Sequence, residues 1–583
     1  MAFFSRPMVM GRRGVVTSGH YLASAAGFRM MEQGGNAIDA AAAMGFCLAV
    51  LEPHQNGLGG EVPIIVYSAR DGQVHAISGV GWTPAAFTID WCRTHGIEMI
   101  PGDGYLPACV PAVVGTWAAA LARFGTMSFS QILQPAIELA EGGFAMYDEL
   151  HGMIASVAEL FRTRYPSSAQ VYLPGGRVPE VGEVFRNPDV AGVLKRLCRA
   201  EAAARANGRA AAIEAAARAF YHGEIADRIV DFIARNPVAD ASGSEHAGLL
   251  TADDIAQWQA AVEPPLSVDY RGLTVHKCSS WTQGPVFLQQ LTILEGFDLK
   301  AMGACSADYI HTWIECAKLA FADREAYYGD PLLDRVPFDV LLSKDYAARR
   351  RSLIGPAASM ELRPGDAGAG VPDYATFDVL ADNRRGLHSS GDTTHLDAID
   401  SQGNMVAATP SGGWIQSSPV IAGLGFPLGT RGQMFYLDAR RPNALAPHKR
   451  PRATLTPTMV TRNGKPLMAF GTPGGDCQDQ WTLQFFINHV DFGMDVQAAL
   501  DAPEFATGHF TSSFYPRGAA PGWIGLDRRI PQDVIDELAR RGHVIGAIRE
   551  DPIKMMGIVF DADRGVIRGG VRSTGGVTCA MGW

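Results

Sequence analysis

Thr393 stands where a side-chain hydroxyl can do nucleophilic chemistry. It lies in Asp392-Thr393-Thr394-His395, at the junction between a Gly-, Pro-, Asp- and Ser-rich stretch and the first of several alternating, strand-like segments. A threonine hydroxyl is a poor nucleophile near neutral pH and needs an adjacent base. One solution uses the residue's own α-amine, which titrates at about 7.7–8.0 and is therefore partly neutral at physiological pH. That amine exists only if the residue is amino-terminal, so the chemistry requires a cut between Asp392 and Thr393. Taken alone, Thr393 also has an ordinary reading, since threonines commonly start strands, and the pair Gly474-Gly475 reads as a turn after Pro473.

Other chemistries find less support. None of the fifteen histidines has a metal-ligand spacing, and there is no HExxH, P-loop, complete GxGxxG or GxSxG elbow. No metal or cofactor is expected. The nine cysteines are odd in number, scattered and free of CxxC pairs, which argues against a disulfide framework and fits reduced thiols in a cytoplasmic protein. Cys477, just past the glycine pair, reads as a small apolar filler. Glu32, Asp39 and Asp323 fall in helices and read as local caps or pairs. A net charge of −10 argues against nucleic acid, which needs a basic stripe. The amino terminus lacks the pattern of a cleaved export signal. The most apolar early run, Ala37 to Leu51, is too short for a bilayer and contains Asp39, so it is expected to be a buried helix and the protein no membrane partner.

Elements must position these residues. Helical spacing appears over His20 to Gln33, from Asn36 through Leu51, over Ser128 to Gly143 and over Ser306 to Tyr328. Glu201 to Phe220, rich in Ala, Arg and Glu, reads as one surface helix, and Thr251 as a helix cap. His54 to Gly60 is a Gly-rich turn leading to a strand over Val62 to Tyr67. Periodicity vanishes from about residue 351, and Asn383 to Asp392 reads as an exposed linker. Beyond it, Thr394 to Asp400 and Met405 to Thr409 form one hairpin pattern, and Thr456 to Thr461 with Pro466 to Phe470 a second. The chain reads as a helical first part and a strand-rich last part divided at the linker.

Several ordered motifs resemble the gamma-glutamyltransferase family of N-terminal-nucleophile hydrolases. They are Gly34-Gly35-Asn36-Ala37-Ile38-Asp39, Asn56-Gly57-Leu58-Gly59-Gly60, Leu319 to Arg324 with Gly329-Asp330-Pro331, Thr393 to Asn404, Lys449-Arg450-Pro451, Thr456-Pro457-Thr458 and Gly471 to Gly475. The similarity runs from about Gly14 to Trp583. It implies an α+β, four-layer αββα sandwich that cleaves itself into a large part, residues 1–392, and a small part, residues 393–583, which stay together as one intertwined domain. A homodimer of such heterodimers is a further possibility. The resemblance makes Thr393 the nucleophile, Ser411 the hydroxyl bonded to it, in place of the usual Thr, and Gly474 with Gly475 the oxyanion hole. Gln433, Tyr436, Thr454 and Gly413 fall at substrate-binding positions.

The substrate end departs from the family. The arginine that holds a glutamyl α-carboxylate is replaced by Val80, the Ser-Ser pair by Ala453-Thr454, the aspartate that grips the α-amine by Tyr436, and an asparagine by Gly413. Arg431, Arg452 and Lys449 are candidate replacements for the lost arginine, and Trp414 with Tyr436 could wall the pocket. A short segment from Asp438 to Pro451 implies a more open site. This pattern resembles cephalosporin-acylase-like and oxamate-amidohydrolase-like branches. The expected activity is amide hydrolysis, or acyl transfer, on a small non-glutamyl acyl group. A glutathione hydrolase with replacement anchors and a non-catalytic binding protein are the alternatives.

Overall fold

In a computed structural model of the chain, the described residues are 5–377, 379–380, 393–547, 553–572 and 576–583. The segment read as an exposed linker, Asn383 to Asp392, lies outside them.

Two seven-stranded antiparallel sheets form the middle of the molecule. The first runs in the order Cys579–Gly582, Gly14–Ser18, Leu396–Asp400, Met405–Ala408, Ile64–Ser68, Gln73–Ser78, Ala261–Glu263. The second runs Val9–Gly11, Val566–Val571, Met556–Asp561, Lys465–Gly471, Thr458–Arg462, Leu273–Lys277, Leu266–Tyr270. The period of two along each strand sorts the side chains. Val15, Ile65, Ile399 and Ala407 of the first sheet meet Met459, Ala469 and Ile558 of the second in a shared apolar layer. Their neighbours Val16, Val66, Ala398 and Val406 face helices Tyr21–Glu32 and Ala37–Leu51. Val275, Val460, Met468 and Phe470 face helices Pro285–Leu294, Ala307–Tyr327 and Gln478–Val490. The layers are helix, sheet, sheet, helix: the αββα sandwich.

Helix Ala37–Leu51 is buried throughout, and Asn36 with Asp39 closes a capping box at its start. Ser128 and Thr251 cap their helices in the same way. Two readings need correction. Glu201 to Phe220 is not one surface helix. Helices Pro188–Ala204 and Arg209–Tyr221 are separated at Gly208, and Ile213, Ala216 and Phe220 are buried. The Glu201 carboxylate is buried as well, accepting the Phe129 and Ser130 amides (2.6 and 2.8 Å) at the start of another helix. The division into a helix-rich and a strand-rich part holds, since sixteen of the nineteen α-helices among the described residues precede residue 378, but seven of the fourteen strands in the two large sheets precede it too. Strands such as Gly14–Ser18 and Ile64–Ser68 are buried on both faces, so they lack the alternation that marks a half-exposed strand. Asp323, read as a local pair, instead accepts from Gly365 N, Tyr346 and Gln289 (2.8, 2.9 and 3.0 Å). Among the described residues, no helix is long and apolar enough to cross a membrane.

Candidate active site

The hairpin Leu396–Asp400 and Met405–Ala408 pairs Leu396 with Ala408 and Ile399 with Met405. Its turn is fixed by Asp400, whose carboxylate accepts the Gln402 and Asn404 amides (2.9 and 3.1 Å). Extending the hairpin away from this turn, Thr394 N donates to Pro410 O at 3.0 Å, and Thr393 pairs with Ser411 in an antiparallel bridge. The two hydroxyls face each other: Thr393 Oγ1 lies 3.0 Å from Ser411 Oγ, both buried. His395 is locked by Asp397 at 2.8 Å and by Thr409 at 2.9 Å. Burial pushes the Asp397 carboxyl up, against the opposing effect of His395.

The Gly-rich turn before Ile64 supports Ser411 from below. Backbone bridges join Asn56 to Gly412 and Glu61 to Ser411. A Cβ on Gly60 would lie 2.1 Å from Ser411 O, so only glycine lets the two chains approach this closely. The turn thereby delivers Glu61. Its carboxylate pairs with Arg431 Nε, and Arg431 Nη2 donates to Ser411 Oγ at 2.6 Å. Burial raises the Glu61 carboxyl, and Arg431 pulls it back down. The Arg431 guanidinium also packs against the rings of Trp414 and Phe514, 4.8 and 5.7 Å from their centroids.

Gly474-Gly475 follows the second-sheet strand Lys465–Gly471. That strand docks onto the Thr393 strand, since a Cβ on Gly471 would lie 2.3 Å from the His395 ring. Gly474 has φ +123° and Gly475 +54°, and a Cβ on Gly474 would lie 2.1 Å from the Trp481 ring. Neither glycine amide finds an acceptor among the described residues. The next residue, Asp476, is clamped by Ser513 N at 2.9 Å, by Ser513 Oγ at 2.6 Å and by Arg324. Phe514, beside this clamp in sequence, is the ring that packs on Arg431.

The four positions aligned with substrate contacts have different surroundings. Gln433 is engaged with backbone, donating to Gly102 O and Thr430 O (both 3.1 Å) and accepting from Tyr515 N. The Tyr436 hydroxyl donates to Glu325, and the Arg441 and Arg517 guanidiniums each lie 4.2 Å from its ring centroid. Thr454 Oγ1 is buried without a hydrogen-bond partner among the described residues. Gly413 has φ +64°, while Val80 and Ala453 sit in the apolar layer between the sheets.

Arg431 was legible only as one of three candidate anchors; Arg452 instead pairs with Glu325 at 2.9 Å and Lys449 with Asp334 at 2.9 Å. The partnership of Glu61 with Arg431 was missed. An acid directly after a glycine turn and before the apolar run Val62 to Tyr67 was the available signal. The fold also brings together His311, Glu315 and His543, a group of metal-ligand types that linear spacing hides. The Glu315 carboxylate there is already held by Lys318 at 2.6 Å and Arg363 at 2.9 Å, which makes it an ion-pair cluster unfavourable to a cation.

This sandwich, with a threonine at the mouth of a central strand, has the N-terminal-nucleophile hydrolase architecture. The sequence model for Gamma-glutamyltranspeptidase matches residues 23–571, and the chain belongs to that family. It is 31% identical over 572 residues to the Glutathione hydrolase-like YwrD proenzyme of Bacillus subtilis (strain 168), covering 97% of this chain and 98% of that protein. Among solved structures, LmbA2991HD is 43% identical with a TM-score of 0.93 and coverage of 100% of both chains. Cephalosporin acylase from Bacillus halodurans is 30% identical with a TM-score of 0.84, covering 99% of this chain and 97% of that one.

Proposed function

We propose that the chain is a self-processing N-terminal-threonine amidohydrolase that removes a small acyl group other than a standard glutamyl head. The observation that carries this reading is the buried 3.0 Å contact between Thr393 Oγ1 and Ser411 Oγ. It is supported by a glycine pair, on the loop after the strand that docks on His395, whose amides have no acceptor among the described residues. In maturation, Thr393 Oγ attacks the Asp392 carbonyl, the peptide shifts to an ester, and water releases the new α-amine. The large part is then 1–392 and the small part 393–583. In turnover, the amine takes the proton of Thr393 Oγ as it attacks the substrate amide. The Gly474 and Gly475 amides receive the oxyanion, and Ser411 steadies the nucleophile. The leaving amine takes the proton, and water then cleaves the acyl-threonine ester. A second amine in place of water would give transfer.

The anchor positions support the substrate side of the reading. A glutamyl head would meet Val80 instead of an arginine, and Tyr436 instead of an acid. Each lost charge-assisted contact is worth about 1.5–3 kcal/mol. The name of the YwrD relative favours the alternative of a glutathione hydrolase with replacement anchors. Two measurements decide. Wild-type protein should run as two fragments, the smaller starting at Thr393, while Thr393→Ala stays a single inactive chain; a processed Thr393→Ala would show that another protease makes the cut. Steady-state kinetics on glutathione against a non-amino-acid acyl amide then separates the substrates, and a clear preference for glutathione would overturn the non-glutamyl assignment.

A further inference from the structure

Maturation creates a charge as well as a nucleophile. Hydrolysis of the Asp392–Thr393 bond consumes one water and leaves a carboxylate at Asp392 and an ammonium at Thr393. That ammonium appears at a residue only 2% exposed, and a buried charge is tolerated only when it is paired. The acids already placed around the site are committed. Glu61 holds Arg431, Asp476 holds Arg324 and Ser513, and Asp397 holds His395 at 2.8 Å.

Glu52 is different. It directly follows helix Ala37–Leu51 and is fully buried, yet neither carboxylate oxygen has a hydrogen-bond partner among the described residues. Gly19 brings it to the nucleophile strand. A Cβ on Gly19 would lie 2.2 Å from Thr394 Oγ1 and 2.5 Å from Glu52 Oε2, so that hydroxyl and this carboxylate are immediate neighbours. The Thr394 hydroxyl is likewise unpartnered among the described residues. Consecutive Cα atoms are about 3.8 Å apart, which puts Glu52 one residue's length from the new terminus. The alternation along the strand sets it on the side away from Ser411.

The groups facing Glu52 leave room for one more positive charge. Lys554 Nζ stands 3.9 Å from Glu52 Oε1 but donates to both oxygens of Glu149, at 2.6 Å each. Glu149 also accepts from Gln55 at 2.8 Å and lies 3.5 Å from His54. Burial lowers His20 to about 3, so it brings no charge near neutral pH, and the Tyr147 hydroxyl donates to Leu51 O at 2.9 Å. Burial raises the Glu52 carboxyl, against the pull of Lys554.

We propose that Glu52 is the counter-ion for the Thr393 α-ammonium, a positioning residue held ready for a charge that only the cut creates. This rests on the amidohydrolase reading above. In the uncut chain the carboxyl stays protonated. When the ammonium forms, the carboxyl releases its proton to solvent, and no bond other than that O–H breaks. The carboxylate then fixes the new terminus and raises its proton affinity, so the free amine that serves Thr393 Oγ grows in at higher pH.

The test places Glu52→Gln in two backgrounds, the mature enzyme and the uncut Thr393→Ala chain, and reads two properties. The first is melting at pH 7, where an amine that titrates at about 7.7–8.0 is mostly charged. Glu52→Gln should lower the transition of the mature protein. In the uncut chain, which has no ammonium, it should leave the transition unchanged or raise it. The second is kcat/KM against pH for glutaryl-p-nitroanilide or glutathione, whichever the wild type cleaves. The ascending limb should move down by about one pH unit in Glu52→Gln, because the amine loses the anion that kept it protonated. A purely structural role would shift melting equally in both backgrounds and leave the limb in place, and either result would overturn the proposal. Cutting should proceed in Glu52→Gln, since no ammonium precedes it; a folded variant that stays uncut would assign the carboxyl to the cleavage step and overturn the proposal as well. If Glu52→Gln folds in neither background, Glu52→Asp takes its place and must show the same difference between them, or the proposal is lost. A wild-type chain never cut before Thr393 would sink the amidohydrolase reading and this proposal with it. A cut and active wild type with no difference between backgrounds sinks this proposal alone.

Discussion

Ser411→Ala isolates the contact on which the site reading depends. Among the described residues, the serine hydroxyl bonds to Thr393 Oγ1 at 3.0 Å and accepts from Arg431 Nη2 at 2.6 Å. The first is a neutral hydrogen bond, worth about 0.5–1.5 kcal/mol, and the second involves a charged donor, worth about 1.5–3 kcal/mol. If the hydroxyl serves the nucleophile chiefly in the transition state, losing it lowers kcat by about 2- to 12-fold, at about 1.4 kcal/mol per factor of ten. KM should change less, because the acyl group is bound elsewhere. Stability should fall too, since a second arm of the buried Arg431 would lose its acceptor, at a cost of about 1–3 kcal/mol. Ser411→Thr keeps the hydroxyl and should restore most of the rate, with a modest melting penalty from fitting a methyl group into a fully buried position. The assays are a gel time course of self-cleavage, steady-state kcat and KM on a cleaved amide, and thermal melting. Wild-type processing and turnover in Ser411→Ala would refute the reasoning. So would a Ser411→Thr as inactive as the alanine.

Gly474→Ala would place a Cβ 2.1 Å from the Trp481 ring at φ +123°, so backbone strain and overpacking act together. Activity should drop at least 100-fold with a lowered melting temperature, and near-normal turnover would show that this loop does not hold the oxyanion. The pH dependence of stability has a worked sign. Burial raises Glu504 from 4.5 to about 7, against the pull of Arg572, and raises Asp479 from 3.8 to about 6, against Lys277. The folded state therefore binds these protons before the unfolded chain does, and stability is gained as pH falls from about 7 toward 4.5. Glu325 works the other way. Burial alone would raise it, but Arg452 and Arg324 hold it near 2, so its stabilisation is lost only below about 4.5. Melting temperature should rise from about pH 8 to about pH 4.5 and then decline, and Glu504→Gln should flatten the upper limb. An unchanged slope in that variant would remove Glu504 from the account.

Much of the scaffold was legible because its signals are local. Asn36 and Ser128 announce helices through their own capping boxes, and the turn after Asp400 announces a hairpin through the residues that make it. Gly-rich turns were visible as turns, yet what they deliver was not. Asn56 to Gly60 exists to bring Glu61 against Ser411, a contact between residues 350 positions apart that only the packed sandwich creates. Apart from the strand read over Val62 to Tyr67, the strands before residue 378 escaped notice for the opposite reason. Strands buried on both faces carry no polar alternation, and Gly14–Ser18 looks in sequence like any short apolar run. Thr393 could be singled out only through resemblance, since its own neighbourhood reads like the start of an ordinary strand.

The division between the proposed reacting centre and the proposed substrate end follows from how each is built. Thr393, Ser411 and the glycine pair are held by backbone: a bridge in one sheet, a loop off the other, and His395 docked on Gly471 between them. Such positions tolerate little change, because altering one moves a strand. The anchor positions Val80, Ala453 and Tyr436 lie outside the strands of the two large sheets, so their side chains can change without moving either sheet. The same backbone logic bears on the proposed cut at residue 393. Leu396–Asp400 is hydrogen-bonded to Gly14–Ser18 on one side and to Met405–Ala408 on the other. Severing the peptide before Thr393 therefore removes no strand pairing from the sandwich. It frees an α-amine at the nucleophile while the ladders on both sides hold the new terminus in place. A nucleophile that depends on its own amine needs both conditions, a free terminus and a fixed one, and a central strand that begins at the cut supplies them together.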